Sequence, residues 1–137
     1  MERVIFACVH NAGRSQMAAA VFSAMADPAR VEAVSAGTTP GDRVHPEVVD
    51  VMREVGIDIR DRRPQQLTES LARNASLLVT MGCGDACPFV PELERIDWPL
   101  RDPKNRPVAE VRQIRDEIRD RVAALIDLRG WRRTSLF

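Results

Sequence analysis

The sequence has only three cysteines, no net charge and no long apolar run. Twenty basic residues balance twenty acidic ones, so the composition does not favour a surface for nucleic acid or membrane lipid. No segment approaches the roughly 20 apolar residues that a helix needs to cross a bilayer. Two residues separate Met1 from the first apolar run, which is too short for a signal peptide. We therefore expect a cytoplasmic protein without nucleic-acid or membrane partners.

The three cysteines are Cys8, Cys83 and Cys87. Thiols stay reduced in the cytoplasm, so these residues indicate chemistry, metal binding or burial rather than a disulfide framework. A structural zinc ion needs four ligands, and Cys83 and Cys87 could complete a set only with Cys8 or with a distant histidine, His10 or His45. We expect no bound metal.

Strand patterns recur along the chain. The apolar runs RVIFACV, VEAVSAG and ASLLVT predict buried strands at residues 3–9, 31–37 and 75–80. A weaker fourth strand is predicted around Ile96 and Trp98.

Helix patterns alternate with these strands. Helices are predicted at residues 15–26 and 45–55, and a third lies near the end of the chain. The first has one apolar face, formed by Met17, Ala20, Val21 and Ala24. The last has an apolar stripe, formed by Val108, Val111, Ile114, Ile118, Val122 and Leu125. The alternation predicts one α/β domain, residues 1–137, a three-layer sandwich whose small parallel sheet of about four strands has helices on both faces.

Three residues with reactive side chains lie at or after the ends of predicted strands. Cys8 lies at the end of the first strand, Cys83 follows the third and Asp102 follows the fourth. In open parallel sheets, ligands bind beyond the carboxyl ends of the strands, where loops lead into helices. We therefore expect these three residues to meet.

The segment CVHNAGRS, residues 8–15, joins the first strand to the first helix. Such a short connection must curl tightly, and Gly13 and Asn11 tolerate conformations that other residues avoid. Successive N–H groups of such an arc point inward, and the helix N-terminus adds positive potential. Arg14 offers a planar fork for two oxygens of a tetrahedral oxyanion, and the positive surroundings favour the thiolate of Cys8. Ser15 can donate a hydrogen bond to that thiolate, serve as the helix N-cap, or do both.

Five segments, CVHNAGRSQMA, SAGT, HPEVVDVMREVGIDI, LLVTMGCGDACP and WPLRDP, together resemble the low-molecular-weight tyrosine phosphatase superfamily and, within it, the arsenate reductases. The resemblance implies the phosphatase-like fold, with Cys8 as nucleophile, Ser15 stabilising its thiolate and Asp102, in the pair Asp102-Pro103, as general acid. It also implies that one loop binds the oxyanion, through Val9, His10, Asn11, Ala12, Gly13 and Arg14.

Several features favour a reductase over a phosphatase of this superfamily. Gln16 follows the loop serine where the phosphatases usually carry proline, and the chain has no tyrosine. In the three-cysteine reductases, a second thiol attacks the cysteine–arsenate adduct and passes the disulfide to a third, roles that by position fall to Cys83 and Cys87. Thioredoxin would then reduce the disulfide. A second route remains open, in which mycothiol or glutathione attacks the adduct and a glutaredoxin-like partner resolves the mixed disulfide.

The spacing of Cys83 and Cys87 has a geometric consequence. In a regular helix the Cβ atoms of residues four apart lie about 5–6 Å apart, whereas a disulfide needs roughly 3.8 Å. Residues 82–88 are therefore expected to form a loop or to unwind during the cycle.

Two residues depart from the pattern of the reductases. Gly13 stands where thioredoxin-coupled members often have a further cysteine, and Ala19 stands where some members use an acidic residue to bind potassium. No potassium site is expected.

The sequence thus predicts a monomeric, cytoplasmic arsenate reductase that holds no bound cofactor. A phosphatase for phosphotyrosine or small phosphate esters is the second hypothesis, and it has no need of Cys83 or Cys87. The third is a non-catalytic thiol switch that binds an oxyanion and signals through a partner protein.

Overall fold

The computed structural model describes residues 1–82 and 90–134. Cys83 and Cys87 lie outside the described residues, and so does most of the 82–88 segment for which a loop was predicted. Four parallel strands form a single sheet in the order β2-β1-β3-β4. The strands are β1 (Glu2–Cys8), β2 (Val31–Gly37), β3 (Leu77–Thr80) and β4 (Glu94–Asp97).

Helices cover both faces of the sheet, so the predicted α/β sandwich is confirmed. They are α1 (Arg14–Met25), α2 (Pro46–Glu54), α3 (Glu69–Arg73) and α4 (Val108–Arg129). The sequence prediction had missed α3, which is five residues long and begins after Thr68, whose hydroxyl accepts a hydrogen bond from the Leu71 amide at 3.1 Å.

Alternate residues of the central strand β1 point into two different cores. Val4, Phe6 and Cys8 face the larger core, which α1, α2 and α4 complete. Ile5 and Ala7 face a smaller core with residues of β3 and α3 on the other side. This period-two alternation is what a strand covered on both faces requires.

Helix α1 is buried on almost every side, contrary to the prediction of a single apolar face. All residues from Arg14 to Phe22 are buried, whereas Ala24, assigned to the apolar face, is exposed. The reason is that α1 contacts the sheet on one side and α4 on the other.

Helix α4 follows its predicted stripe with one exception. Val111, Ile114, Ile118 and Val122 are fully buried, but Val108, in the first turn, is 47% exposed. No helix in residues 1–82 and 90–134 combines the length and the apolar character that crossing a bilayer requires.

An ion-pair cluster joins α2 to α4. The Glu54 carboxylate accepts hydrogen bonds from the guanidinium groups of Arg112, at 2.7–3.1 Å, and Arg115, at 2.8 Å. These hydrogen bonds, that of Arg112 first, lower the pKa of Glu54 from 4.5 to about 2.

Candidate active site

The candidate site lies at the carboxyl edge of the sheet, around the last residue of its central strand. Cys8 ends β1 and is only 2% exposed. Gly82 follows β3, and Leu100 and Asp102 follow β4. Of the residues expected to meet, Cys8 and Asp102 are therefore on the same edge, and the described chain reaches it again at Gly82, next to Cys83.

Residues 8–12 turn their carbonyl groups away from the centre of the loop. The segment 38–45 binds four of these oxygens through its amides: Thr38 N to Cys8 O, Thr39 N to Val9 O, Gly41 N to His10 O and His45 N to Ala12 O, at 2.8–3.2 Å. The fifth, the Asn11 carbonyl, accepts from the Gln16 side chain at 3.1 Å. Asn11 takes a left-handed conformation, φ 50°, which asparagine tolerates better than most residues.

The amides of the same loop have no hydrogen-bond partner in residues 1–82 and 90–134. Among the described residues, the backbone N–H groups of residues 11–15 donate to no other backbone or side-chain group, although all five residues are buried. Buried amides are nearly always paired, and those at a helix start are the usual exception that an anion satisfies. The loop is therefore built to receive an anion.

The Cys8 sulfur makes one side-chain hydrogen bond within the described chain. Ser15 Oγ lies 2.9 Å from Cys8 Sγ, and Asn11 Nδ2 donates to the same Oγ at 2.7 Å. Ser15 is the second residue of α1, and the N-cap is Gly13, which makes no side-chain bond. The predicted contact to the sulfur is thus confirmed, and the alternative role as N-cap is wrong.

The Arg14 guanidinium is held by two residues of the segment after β4 and lies close to Gly82. Its Nη1 donates to Leu100 O at 3.0 Å, and its Nη2 lies 3.9 Å from Asp102 Oδ2. A Cβ at Gly82, which has φ +88°, would lie 2.5 Å from Nη1, so this glycine allows the guanidinium to pass. The buried Nε has no partner among the described residues. An oxyanion oxygen is the kind of acceptor that would satisfy it.

Two hydrogen bonds from residues that follow Asp102 hold its side chain and its backbone carbonyl. Asp102 Oδ1 accepts from the Lys104 amide at 3.0 Å, and Asp102 O accepts from Arg106 Nε at 2.6 Å. Oδ2 remains directed at Arg14, and the Asp102 side chain is 44% exposed. A half-exposed carboxyl group at the mouth of the site can exchange protons with solvent and with a bound oxyanion.

Gly13 has a role that differs from the predicted one. Its φ is −142°, not left-handed. A Cβ at this position would lie 2.7 Å from Pro103 Cγ and 3.6 Å from the His45 ring. Glycine is therefore required here because the Asp102-Pro103 turn packs directly on the loop.

The remaining predicted site residues lie around the loop. His10 is partly buried, and its Nδ1 lies 3.1 Å from Thr39 O. Val9 is also partly buried and Ala12 is fully buried. His45 is the N-cap residue of α2 and contributes its amide rather than its ring to the loop.

Sequence reasoning missed the outer support of the loop. Gly37 packs so closely that a Cβ would lie 2.7 Å from Val9 O, and Gln65 N donates to Asn11 Oδ1 at 2.9 Å. The glycine at the end of SAG was a visible signal for close packing. The contact from Gln65 had none, since 54 residues separate it from Asn11.

Taken together, these groups can bind a tetrahedral oxyanion, attack it with a sulfur and deliver a proton from Asp102. A buried sulfur beside a hydroxyl, unpaired amides and a guanidinium fork is an arrangement for nucleophilic attack on an anion. The sulfur can form a covalent adduct that water or a second thiol can resolve.

Comparison with known proteins agrees with this geometry. The model of the family "Low molecular weight phosphotyrosine protein phosphatase" matches residues 3–133. An arsenate reductase of Staphylococcus aureus is 36% identical over 122 residues, which cover 85% of this chain and 89% of that protein. A glutaredoxin arsenate reductase of Synechocystis is 32% identical over 129 residues, with 92% and 97% covered.

A solved structure shows the same similarity. The thioredoxin-dependent arsenate reductase of Corynebacterium glutamicum superposes with a TM-score of 0.79 at 38% identity. The match covers 93% of this chain and 61% of the other, so this chain spans about three fifths of that protein's length.

Proposed function

This chain belongs to the low-molecular-weight phosphotyrosine protein phosphatase family, and from that membership and its site we propose that it is an arsenate reductase, which converts arsenate to arsenite in arsenic detoxification. The observation that carries the proposal is the anion cradle next to the sulfur of Cys8. It consists of the amides of residues 11–15 and Arg14 Nε, for which the described part of the chain offers no acceptor. The 36–38% identity to arsenate reductases favours arsenate over a phosphate ester as the substrate.

In the first step the Cys8 thiolate attacks the arsenic of bound arsenate. The loop amides and the Arg14 fork hold the oxygens, and the Ser15 hydroxyl stabilises the thiolate before attack. A sulfur–arsenic bond forms while one arsenic–oxygen bond breaks. That oxygen, as a hydroxyl group of the arsenate, leaves as water with a proton from the carboxylic acid form of Asp102, whose Oδ2 lies 3.9 Å from Arg14 Nη2.

In the second step a thiolate attacks the Cys8 sulfur. A sulfur–sulfur bond forms, and the sulfur–arsenic bond breaks with its electron pair passing to arsenic. Arsenic(V) becomes arsenic(III), arsenite is released, and two thiols have been oxidised to one disulfide. We assign this attack to Cys83, which gives a Cys8–Cys83 disulfide. The Cys87 thiolate then attacks the Cys83 sulfur, so that a Cys83–Cys87 disulfide forms and Cys8 leaves as a thiolate. Cys83 and Cys87 are both outside the described residues.

Thioredoxin is the proposed source of the reducing equivalents, and the C. glutamicum enzyme described as thioredoxin-dependent supports it. The glutaredoxin arsenate reductase of Synechocystis supports the alternative, in which mycothiol or glutathione attacks the adduct and a glutaredoxin-like partner follows. We propose that the protein acts as a cytoplasmic monomer with no bound cofactor.

A phosphatase is the second candidate, because the matching family model is named for phosphatases and the cradle suits phosphate equally well. It would use Cys8, Arg14 and Asp102 in the same first step, and water in place of the second thiol. Cys83 and Cys87 would then be dispensable.

The test is arsenate-dependent NADPH consumption with thioredoxin and thioredoxin reductase. We expect turnover by the wild type, and none by Cys8→Ser, Cys83→Ser or Cys87→Ser. Turnover that survives Cys83→Ser but needs mycothiol or glutathione would replace the internal relay by the small-thiol route. Hydrolysis of p-nitrophenyl phosphate without reduction of arsenate by any of these donors would establish the phosphatase. If the protein turned over neither arsenate nor the phosphate ester, the non-catalytic thiol switch would be the remaining hypothesis.

A further inference from the structure

Gln16 is a buried polar residue in the first turn of α1 and is 1% exposed. Its Nε2 lies 3.1 Å from Asn11 O, 3.2 Å from Asn11 Oδ1 and 3.2 Å from Arg63 O. Its Oε1 is buried and has no partner among the described residues. Because two backbone carbonyl oxygens, Asn11 O and Arg63 O, lie against one end of the amide, that end must be the nitrogen. A buried unpaired oxygen costs stability. We therefore attribute the presence of glutamine here to the hydrogen bonds that its nitrogen donates.

The nitrogen of Gln16 fixes the orientation of the Asn11 side chain. Asn11 Oδ1 accepts from Gln16 Nε2 and from the Gln65 amide, at 3.2 and 2.9 Å. Both neighbours are donors, so the Asn11 amide cannot flip without placing its own N–H groups against them. Asn11 Nδ2 therefore faces Ser15 Oγ, 2.7 Å away.

This orientation decides the direction of the hydrogen bond to the nucleophile. Ser15 Oγ accepts a hydrogen from Asn11, so the single hydrogen of the hydroxyl is available to Cys8 Sγ at 2.9 Å. A hydroxyl that donates to sulfur stabilises the thiolate more than the thiol, because the neutral sulfur is only a weak acceptor. Gln16 thus donates to Asn11, Asn11 donates to Ser15, and Ser15 donates to the sulfur of Cys8.

We propose that Gln16 is a positioning residue for the Cys8 thiolate: it orients Asn11, through Asn11 it orients the Ser15 hydroxyl, and it thereby keeps the sulfur ionised and reactive. Gln16 touches neither the sulfur nor the oxyanion. The proposal rests on Cys8 as the nucleophile of the proposed function, but it holds for arsenate and for phosphate alike.

The test is the pH profile of the alkylation of Cys8 by iodoacetamide, measured in a Cys83→Ser, Cys87→Ser background where Cys8 is the only thiol. Gln16→Met keeps the volume and removes both the bracing nitrogen and the unpaired oxygen. We expect the midpoint of its profile to rise by about one pH unit, which is about a tenfold loss of rate well below the midpoint. The temperature of unfolding should stay close to that of the wild type, because the unpaired oxygen is lost as well.

Gln66→Met is the matched control. Gln66 Nε2 also reaches three carbonyl oxygens, those of Gly37, Thr38 and Leu67 at 3.0–3.4 Å, but none belongs to Asn11. We expect this variant to keep the wild-type profile. An unchanged midpoint in Gln16→Met would overturn the proposal, whether or not the protein reduces arsenate.

A second comparison separates positioning from a general loss of structure. In a Ser15→Ala background the route from Gln16 to the sulfur is cut, so Gln16→Met should cause no further shift of the midpoint. An additional shift there would mean that Gln16 acts by another path, against the proposal. Should Gln16→Met fail to fold, Gln16→Asn keeps a buried amide but is one methylene too short to reach Asn11. The same upward shift is expected of it, and an unshifted midpoint would overturn the proposal equally.

Discussion

The contact between Gly13 and Pro103 predicts that one methyl group displaces Asp102, the proposed general acid, from the site. In Gly13→Ala the new Cβ would lie 2.7 Å from Pro103 Cγ, where ordinary contacts are 3.4–4 Å. Pro103 must therefore retreat by at least about 0.7 Å. Asp102 precedes it directly and moves with it, away from its present position 3.9 Å from Arg14.

The size of the effect follows from what the acid contributes. A misplacement of about 1 Å can cost roughly 100-fold in rate, and a general acid contributes about 10²- to 10⁴-fold. We expect kcat for arsenate to fall by about 10- to 100-fold in Gly13→Ala, and by no more than in Asp102→Asn. The two substitutions together should be no worse than Asp102→Asn alone, because both remove the same proton donor.

The assay is arsenate-dependent NADPH consumption with Gly41→Ala as the control. A Cβ at Gly41 would meet its nearest atoms at 3.8 and 3.9 Å, which is ordinary contact in the segment that supports the same loop. If Gly13→Ala reduced arsenate as fast as Gly41→Ala, the inference that Gly13 allows Asp102 to take its position near Arg14 would be wrong. Alkylation of Cys8 should be unchanged in both variants, since a slower reaction would indicate a distorted loop instead.

Three further predictions concern the support of the site and the fold. Glu54, with its pKa of about 2, stabilises the fold as a carboxylate above about pH 4.5, and this stability is lost as the pH falls towards 2. Glu54→Gln should therefore lower the unfolding temperature at pH 7 but match the wild type near pH 2, and a difference independent of pH would contradict this. Gly82→Ala should weaken the inhibition by phosphate at least about tenfold by displacing Arg14, while Gly56→Ala, also at positive φ but with no atom within 4 Å, should not. Thr68→Ala should cost about 1 kcal/mol in urea denaturation by removing the cap of α3, and a loss of activity without a loss of stability would show that the cap has another role.

Local patterns in the sequence were sufficient to predict most of the fold. The strand at 31–37 was located to the residue because its apolar run ends in Gly37. Helix α4 was recognised, although its bounds were not predicted, because its stripe is long. Helix α3 was missed because a five-residue helix with one buried residue, Ala72, shows no period. Ala24 was wrongly assigned to the buried face of α1. This helix is held between the sheet and α4, so the burial of its residues does not follow one apolar face.

The core of the site followed from topology, since loops after parallel strands meet at one edge. That rule predicted that Cys8 and Asp102 lie at the same edge of the sheet. It could not predict the support of the loop, because the contacts of Gln16, Gln65 and Pro103 depend on how distant segments pack. Gly13 illustrates the limit: the sequence indicates that glycine matters there, but only the packed structure gives the reason.

The depth of Cys8 also limits which molecules can exchange electrons with it. A sulfur that is 2% exposed at the end of the central strand can be reached by a tetrahedral anion or a small reagent, but not by the surface of another folded protein. A protein reductant must therefore act through a carrier thiol, which either belongs to this chain or is a low-molecular-weight compound. The same enclosure shields the nucleophile from adventitious exchange with protein disulfides. The number of thiols that the reaction needs is thus set by how deeply the first one lies.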